Sequence, residues 1–431
     1  MEIIDNRALM LKVRDAQRIT SVIPKSKVIA DHEGYSEVLV HWGLEEAQVL
    51  KNLKVRDVPS PILSKYKWTG LHKPFEHQKD TASFLTLHRR AFCFNEQGTG
   101  KTASVIWAAD YLMTLGLIKR VLVICPLSIM DSAWRADLFT FAIHRTVDVA
   151  YGSREKRKKI INQGAEFTII NFDGLEIVAD DIEAANFDLI VIDEANAYKN
   201  PTTKRWKILN SLVKPHTWLW MLTGTPASQS PVDAYGIAKL VNPNGVPKFY
   251  SHFRDQVMQK ITMFKWVPKH DADTIVHKAL QPAIRYTKEE CLDLPELTYS
   301  TRDVPLTPQQ NKYYEKLRQE MLMVAAGEEI TTVNAAASMN KLLQLSAGAV
   351  YSDTGEIVEF DASNRLNVLK EVIDEASHKV LVFVPYRHAI QIVSEELAKH
   401  YTVEIISGDV PVNKRTEIFK RFQETPHPKV L

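Results

Sequence analysis

The sequence predicts an α/β protein of two lobes, each built on a central parallel sheet, with a helical stretch between them and the second lobe incomplete. Three observations carry this. "RVLVIC", "EFTIIN", "FDLIVID" and "TWLWMLT" are apolar runs of strand length without polar alternation, the pattern of strands buried on both faces. Helical periodicity separates such runs: after "AFCF", Val105, Ala108, Ala109 and Leu112 fall on one helical face. The alternation then resumes near the C-terminus, with "HKVLVFVP" and "TVEIIS" as strands, "RHAIQIVSEELAKH" and "NKRTEIFKRFQ" as helices, and "PKVL" as the opening of another strand.

In chain order, residues 1–65 form an N-terminal extension in which only "YSEVLVHWG" reads as a strand, and no chemistry is assigned there. Residues 66–247 form the first lobe, which closes on the loop sequence "NPNGVP". Residues 248–296 read as a helical inter-lobe segment, and 297–431 as the partial second lobe with inserted helices around "PQQNKYYEKLRQEMLMVA" and "NAAASMNKLLQL".

The totals agree with a globular chain: 431 residues, 45% hydrophobic and 25% charged, leave room for two or three domains at ~150 residues each. A net charge of +2 means that any nucleic-acid surface is a local patch. Cys93, Cys125 and Cys291 are too few for a disulfide framework or a four-ligand zinc site, which suggests a reduced compartment. The charged start "MEIIDNRALMLKVRD" lacks the apolar core of a signal peptide, and "VLVICPLSIM" is far shorter than the ~20 residues of a membrane span. The expectation is a soluble, cytoplasmic monomer with no membrane partner.

"NEQGTGKT" lies between a strand and an amphipathic helix, as a phosphate-binding loop requires, although Asn95 stands where the common pattern has its first glycine. Gly98 and Gly100 allow a tight turn that brings the backbone N–H groups of the loop, Thr99 included, close to phosphate oxygens. Lys101 would meet the β- and γ-phosphates and the Thr102 hydroxyl would help hold Mg²⁺. "LIVIDEAN" puts Asp193 and Glu194 at the C-terminal end of a buried strand, where ligands bind in open parallel sheets. There Asp193 suits a metal contact and Glu194 a water-activating base.

Together these motifs resemble superfamily 2 helicase-like ATPases of the SWI/SNF double-stranded DNA translocase type. "NEQGTGKT" resembles motif I, where the family often carries Asp at the position of Asn95; "DEAN" resembles motif II and "LTGTP" motif III. "CPLSIMDSAW", with its downstream Trp134, is similar to motif Ia, and "PFEHQ" places Gln78 at the adenine-reading glutamine. "IRYTKEECLDLPE" resembles the segment between lobes, "VLVFVPYRHAIQIV" motif IV, and "ISGDVPVNKRTEIFKRFQ" the segment that follows it. The matches run in family order from Gln78 to Gln423.

The resemblance implies two RecA-like lobes with ATP and Mg²⁺ between them, and hydrolysis coupled to movement along the backbone of double-stranded DNA without sequence preference. It assigns Pro126, Leu127, Ser128, Thr223, Gly224 and Thr225 to DNA contact or coupling, and Asn196, at the end of motif II, to coupling between ATP and motif III. On its own, Pro126–Ser128 reads better as a plain strand-to-helix cap, with Ser128 satisfying backbone donors. Asn196 stands where the family has histidine, and Ile170 and Phe172 depart from motif Ib, so "IINFDG" receives no role. The chain ends at Leu431, before motifs V and VI, which suggests weak hydrolysis. Two alternatives accompany the translocase reading: the motor segment of a restriction or nuclease complex, and an ATP-binding DNA- or protein-binding fragment with weak turnover. Elsewhere, "MFKWVPKH" reads as an exposed loop with one buried Trp, "GSREKRKKI" as a solvated helix face, and Trp218 and Trp220 as core.

Overall fold

A computed structural model describes the chain except residues 263–264, 328–331 and 352–355. It comprises two compact units, Met1–Pro295 and Glu296–Leu431. The first opens with an antiparallel sheet of β1 (Glu2–Ile4), β2 (Ala8–Val13), β3 (Ser26–His32) and β4 (Tyr35–His41), in the order β1-β2-β4-β3. Only one face of it is buried: Leu9 and Leu11 of β2 and Val38 and Val40 of β4 pack with Trp42 and with Leu50 of the helix Leu44–Asn52. That helix ties the sheet to the helix Glu76–Leu87, where Gln48 Nε2 donates to the Thr86 carbonyl at 2.9 Å.

The larger sheet contains β5 (Arg90–Cys93), β6 (Val121–Cys125), β7 (Val147–Val149), β8 (Phe167–Asn171), β9 (Leu189–Asp193) and β10 (Trp218–Leu222). After a hairpin of β11 (Met258–Lys260) and β12 (Trp266–Pro268), β13 (Ala283–Ile284) returns to it. The order is β13-β5-β10-β9-β6-β8-β7 and every pairing is parallel. Strand β6 explains the absence of polar alternation. Val121, Val123 and Cys125 pack in one core with Val105, Ala108, Ala109 and Leu112 of the helix Lys101–Thr114. Leu122 and Ile124 point the other way, into a core with Ile237 and Leu240 of the helix Ala234–Val241. Each such side chain contributes about 1.5–3 kcal/mol when fully buried, and strands covered on both faces spend no position on solvent.

Residues 248–296 are only partly helical. The helices Tyr250–Val257, Ala272–Ala279 and Lys288–Cys291 alternate with β11, β12 and β13, and β13 completes the edge of the large sheet. Trp266 lies half-buried on β12 under the Arg254 guanidinium, 4.2 Å from the ring centroid, rather than buried in a loop. Phe264 of the same motif lies outside the described residues. The basic stretch becomes the helix Arg154–Gln163, whose Arg157 is buried, not solvated. Its guanidinium donates to the Gly152 carbonyl at 2.9 Å and to Asn171 Oδ1 at 3.0 Å, which compensates the lost hydration. Trp218 and Trp220 are core.

In the second unit the hairpin of β14 (Ala349–Tyr351) and β15 (Ile357–Glu359) follows the helices Pro308–Gly327 and Thr332–Ser346. Beyond it, Val430 bridges Val380 on one side and Val403 on the other, both in parallel. The "PKVL" segment is therefore the middle of a short parallel strip, with Val382 N donating to the Leu431 carbonyl at 2.8 Å and Glu404 N to that of Val430 at 3.1 Å. Ile373, Leu397 and Val430 form its buried core. Among the described residues no helix is long and apolar enough to cross a membrane.

Two stability measurements test this packing. Trp220 is fully buried and its indole N–H donates to the His88 carbonyl at 3.0 Å, so Trp220→Ala is expected to cost about 3–5 kcal/mol in denaturant unfolding. Burial pushes the Asp137 carboxyl up to about 6. Its folded value exceeds its unfolded one, so stability falls as pH rises from about 4 to 6 and the deficit persists above that window. Asp137→Asn is expected to be more stable than the parent by about 1–2 kcal/mol at neutral pH, and the gain should vanish near pH 4.

Candidate active site

Parallel pairing places the C-terminal ends of β5, β10, β9 and β6 side by side, in that order. The four segments that leave those ends are 94–102, 223–225, 194–196 and 126–128, so all the motif residues expected from the sequence except Gln78 reach one edge. Gln78 arrives from the helix Glu76–Leu87.

Gly98 and Gly100 of the loop adopt φ of 87° and 78°, the left-handed region. At Gly100 the left-handed backbone disfavours a side chain, and a Cβ there would displace the Gln78 amide. The Lys101 ammonium curls back to donate to the carbonyls of Asn95 at 2.9 Å and Glu96 at 3.1 Å. Thr99 is buried and its hydroxyl donates to the Glu96 carbonyl at 2.8 Å. Both ends of the Gln78 amide are held by protein: Nε2 donates to the Thr99 carbonyl at 3.3 Å and Oε1 accepts from Phe75 N at 3.0 Å. A ring nitrogen of the buried His77 lies 2.8 Å from the same Thr99 carbonyl.

The unusual Asn95 is a tie. Buried to 1% exposure, it donates through Nδ2 to Thr81 Oγ1 at 2.8 Å and accepts at Oδ1 from Tyr286 N at 3.1 Å. It thereby joins the loop entry both to the helix that carries Gln78 and to the segment after β13.

Asp193 ends β9. Its Oδ2 accepts from the indole N–H of the fully buried Trp134 at 2.9 Å, and its Oδ1 from Glu194 N at 3.0 Å. Burial raises the Asp193 carboxyl above its ordinary value, and these donors together with the Lys101 charge oppose the rise. Glu194 is raised too, by burial and by the neighbouring Asp193, and Lys101 again opposes. Glu194 has φ of 55°, rare for a residue with a side chain and costing about 1–3 kcal/mol. Such strain concentrates where a side chain must be aimed.

Thr223, buried, continues β10 by donating its N–H to the Cys93 carbonyl at 3.1 Å. Gly224 lies against the phosphate loop: a Cβ there would stand 3.7 Å from Gln97 N. Asn196 Nδ2 donates to the Thr225 carbonyl at 2.7 Å, so the residue at the histidine position does join motif II to motif III. Leu127 and Ser128 are exposed after Pro126, and a short π-helix follows, Met130–Arg135, a rare form that frequently occurs at functional sites. It is this element that carries Trp134 to Asp193. Sequence reasoning gave Asn95, His77, Trp134 and Tyr286 no function at the site; the Trp of "PLSIMDSAW" was the available signal for one of them.

These residues fit a nucleoside triphosphate with a divalent cation. The glycine turn is a cradle that side chains would fill, Lys101 supplies charge, and Thr102 and Asp193 supply oxygen donors. Among the described residues no group of three or more His, Cys, Asp or Glu could hold a metal unaided, so phosphate oxygens and water would complete the shell, as is usual for Mg²⁺. Asn95→Ala should lose both ties and cost about 1–3 kcal/mol in unfolding, with faster amide exchange at Tyr286. Asn95→Asp, which keeps the Oδ1 acceptor for Tyr286 N but loses the Nδ2 donor to Thr81, should restore most of the exchange protection at Tyr286.

The SNF2-related domain matches residues 42–349 and the helicase conserved C-terminal domain residues 364–431. Putative protein p41 of Acyrthosiphon pisum secondary endosymbiont phage 1 is 24% identical over 337 residues, covering 74% of this chain and 73% of the phage protein. The SWI/SNF-related matrix-associated actin-dependent regulator of chromatin subfamily A-like protein 1 of Xenopus laevis is 24% identical over 430 residues, 88% of this chain and 40% of its own length. Among solved structures, the Sulfolobus solfataricus SWI2/SNF2 ATPase core in complex with dsDNA is similar at a TM-score of 0.48 and 22% identity, over 84% of this chain and 78% of that one. Since the SNF2-related domain spans well over half of its residues, the chain belongs to the SNF2-related family of helicase-like ATPases, whose fold is a pair of RecA-like lobes.

Proposed function

We propose that this protein is a DNA-dependent ATPase that moves along double-stranded DNA, in the cytoplasm of a bacterium or a phage-infected cell. The observation that supports this best is the Asn196–Thr225 hydrogen bond at 2.7 Å. It connects the turn bearing the acid pair to the segment at the end of β10, which lies against the phosphate loop. A change at the phosphates can therefore reach the exposed edge through one short polar link.

Lys101 would exchange its two loop carbonyls for the β- and γ-phosphates, and the loop amides would hold the polyphosphate. Mg²⁺, held by Thr102 and Asp193, would neutralise charge on the phosphate oxygens. Glu194, already raised toward a useful base, takes the proton of the attacking water as its oxygen bonds the γ-phosphorus and the bond to ADP breaks. Within Pro126–Ser128 and Thr223–Thr225, the amides of the exposed Leu127 and Ser128 and the hydroxyls of Ser128 and Thr225 are suited to DNA phosphates, which gives grip without sequence preference.

Steady-state ATP hydrolysis with duplex DNA, single-stranded DNA, RNA and no nucleic acid tests the reading. Duplex DNA is expected to stimulate most, and added salt to weaken the stimulation. Lys101→Ala should abolish turnover, and Glu194→Gln should lower it by about 10²–10⁴ while leaving nucleotide binding intact. Displacement of a third strand from a triplex tests movement. Equal rates with and without duplex DNA would overturn the DNA-dependent reading, and stimulated hydrolysis without strand displacement would overturn translocation.

A further inference from the structure

The phosphate loop has a neighbour outside the motifs that define it. After β13 the chain runs beside the loop entry, where Glu96 N donates to the Tyr286 carbonyl at 2.9 Å and Tyr286 N to Asn95 Oδ1 at 3.1 Å. Lys288 N then donates to Glu96 Oε2 at 3.1 Å. These three bonds fix the backbone of residues 286–288 against residues 95–96. The side chain of Lys288 lies beside the loop: its Cε is 3.9 Å from where a Cβ on Gly98 would stand, and outside residues 97–99 no other heavy atom comes within 4 Å of that point.

The charges around Lys288 leave its ammonium unspent. The Glu96 carboxylate is shared between the Lys288 backbone N–H and the Arg285 guanidinium, 3.9 Å away. The Lys288 side chain is exposed, and among the described residues its ammonium has no hydrogen-bond or ion-pair partner. Lys101, by contrast, is occupied by the Asn95 and Glu96 carbonyls.

We propose that Lys288 is a second phosphate-binding cation of the nucleotide site, delivered to the loop from the segment after β13. The inference rests on the nucleotide-site reading of residues 95–102. A polyphosphate over Gly98–Thr102 lies within reach of a lysine stem anchored at Glu96, and a flexible point charge suits a phosphate tail that changes length as ATP becomes ADP. Tyr286 steadies the segment from the other side: its hydroxyl donates to Asp80 at 2.9 Å and its ring centroid lies 5.8 Å from that of His77.

The test is equilibrium binding of fluorescently labelled ATP and labelled AMP to the full chain, with thermal melting recorded for each variant. Lys288→Ala is expected to weaken ATP binding by about tenfold and AMP binding by less than about twofold, with an unchanged melting temperature. Lys288→Arg should recover most of the ATP affinity. Unchanged ATP affinity in Lys288→Ala, or equal losses for ATP and AMP, would overturn the assignment to the phosphate tail. Failure of the parent protein to bind labelled ATP would overturn the nucleotide-site reading itself, and that outcome is visible before any variant is made.

Discussion

The molecule depends on one constraint: an unpaired polar group inside a parallel sheet covered on both faces is costly, and the buried Thr168 hydroxyl on β8 stands as an exception. Along β5, β10, β9 and β6 every side chain except those at the ends enters one of two apolar cores, and the backbone groups between them pair in the plane of the sheet. Polar chemistry is thereby pushed to the strand ends, and parallel pairing collects four of those ends on a single edge. Asp193 marks the boundary, as the last residue of β9 and the only charged one in that strand.

At that edge the difficulty is electrostatic. Two adjacent carboxylates, both partly withdrawn from water, repel each other, and burial penalises their charged forms. The protein responds with specific donors: an indole N–H and a backbone N–H on Asp193, and the Lys101 charge near both acids. The left-handed backbone at Glu194 turns its side chain away from the path a continuing strand would take. Loop strain, carboxylate burial and the Trp134 hydrogen bond form one arrangement, in which each destabilising feature is offset by a neighbour.

Much of this was legible in the chain. Strands β6, β8, β9 and β10 announced themselves as apolar runs, and glycines at 98 and 100 can be read as a turn because few other residues adopt that backbone. The order of the motifs made the candidate site legible as well. What escaped was set by tertiary pairing. A two-residue strand such as β13 has no periodicity of its own and exists because Phe92 and Cys93 offer it a partner. Among β1–β4 only β4 was legible: β1 has three residues, β3 mixes polarities, and the apolar run of β2 lies within the charged stretch "MEIIDNRALMLKVRD". Asn95 looked like a defect in a glycine pattern, since its two partners, Thr81 and Tyr286, lie far from it in sequence. The buried Arg157 was hidden in a basic run by the same blindness to distant carbonyls.

The tie between Asn95 and Tyr286 joins residues 191 positions apart. On a ribosome adding about 5–20 residues per second, the loop at 95–102 therefore waits roughly 10–40 s for the segment that secures it. During that interval the strand β5 has its outer edge open, because β13 has yet to be made. A nascent chain arrested before residue 283 would hold all of motifs I, II and III yet lack the edge strand beside the first of them. The nucleotide loop is thus among the last features of the first unit to be locked, together with the last core members to be made, Ala279 and Leu280.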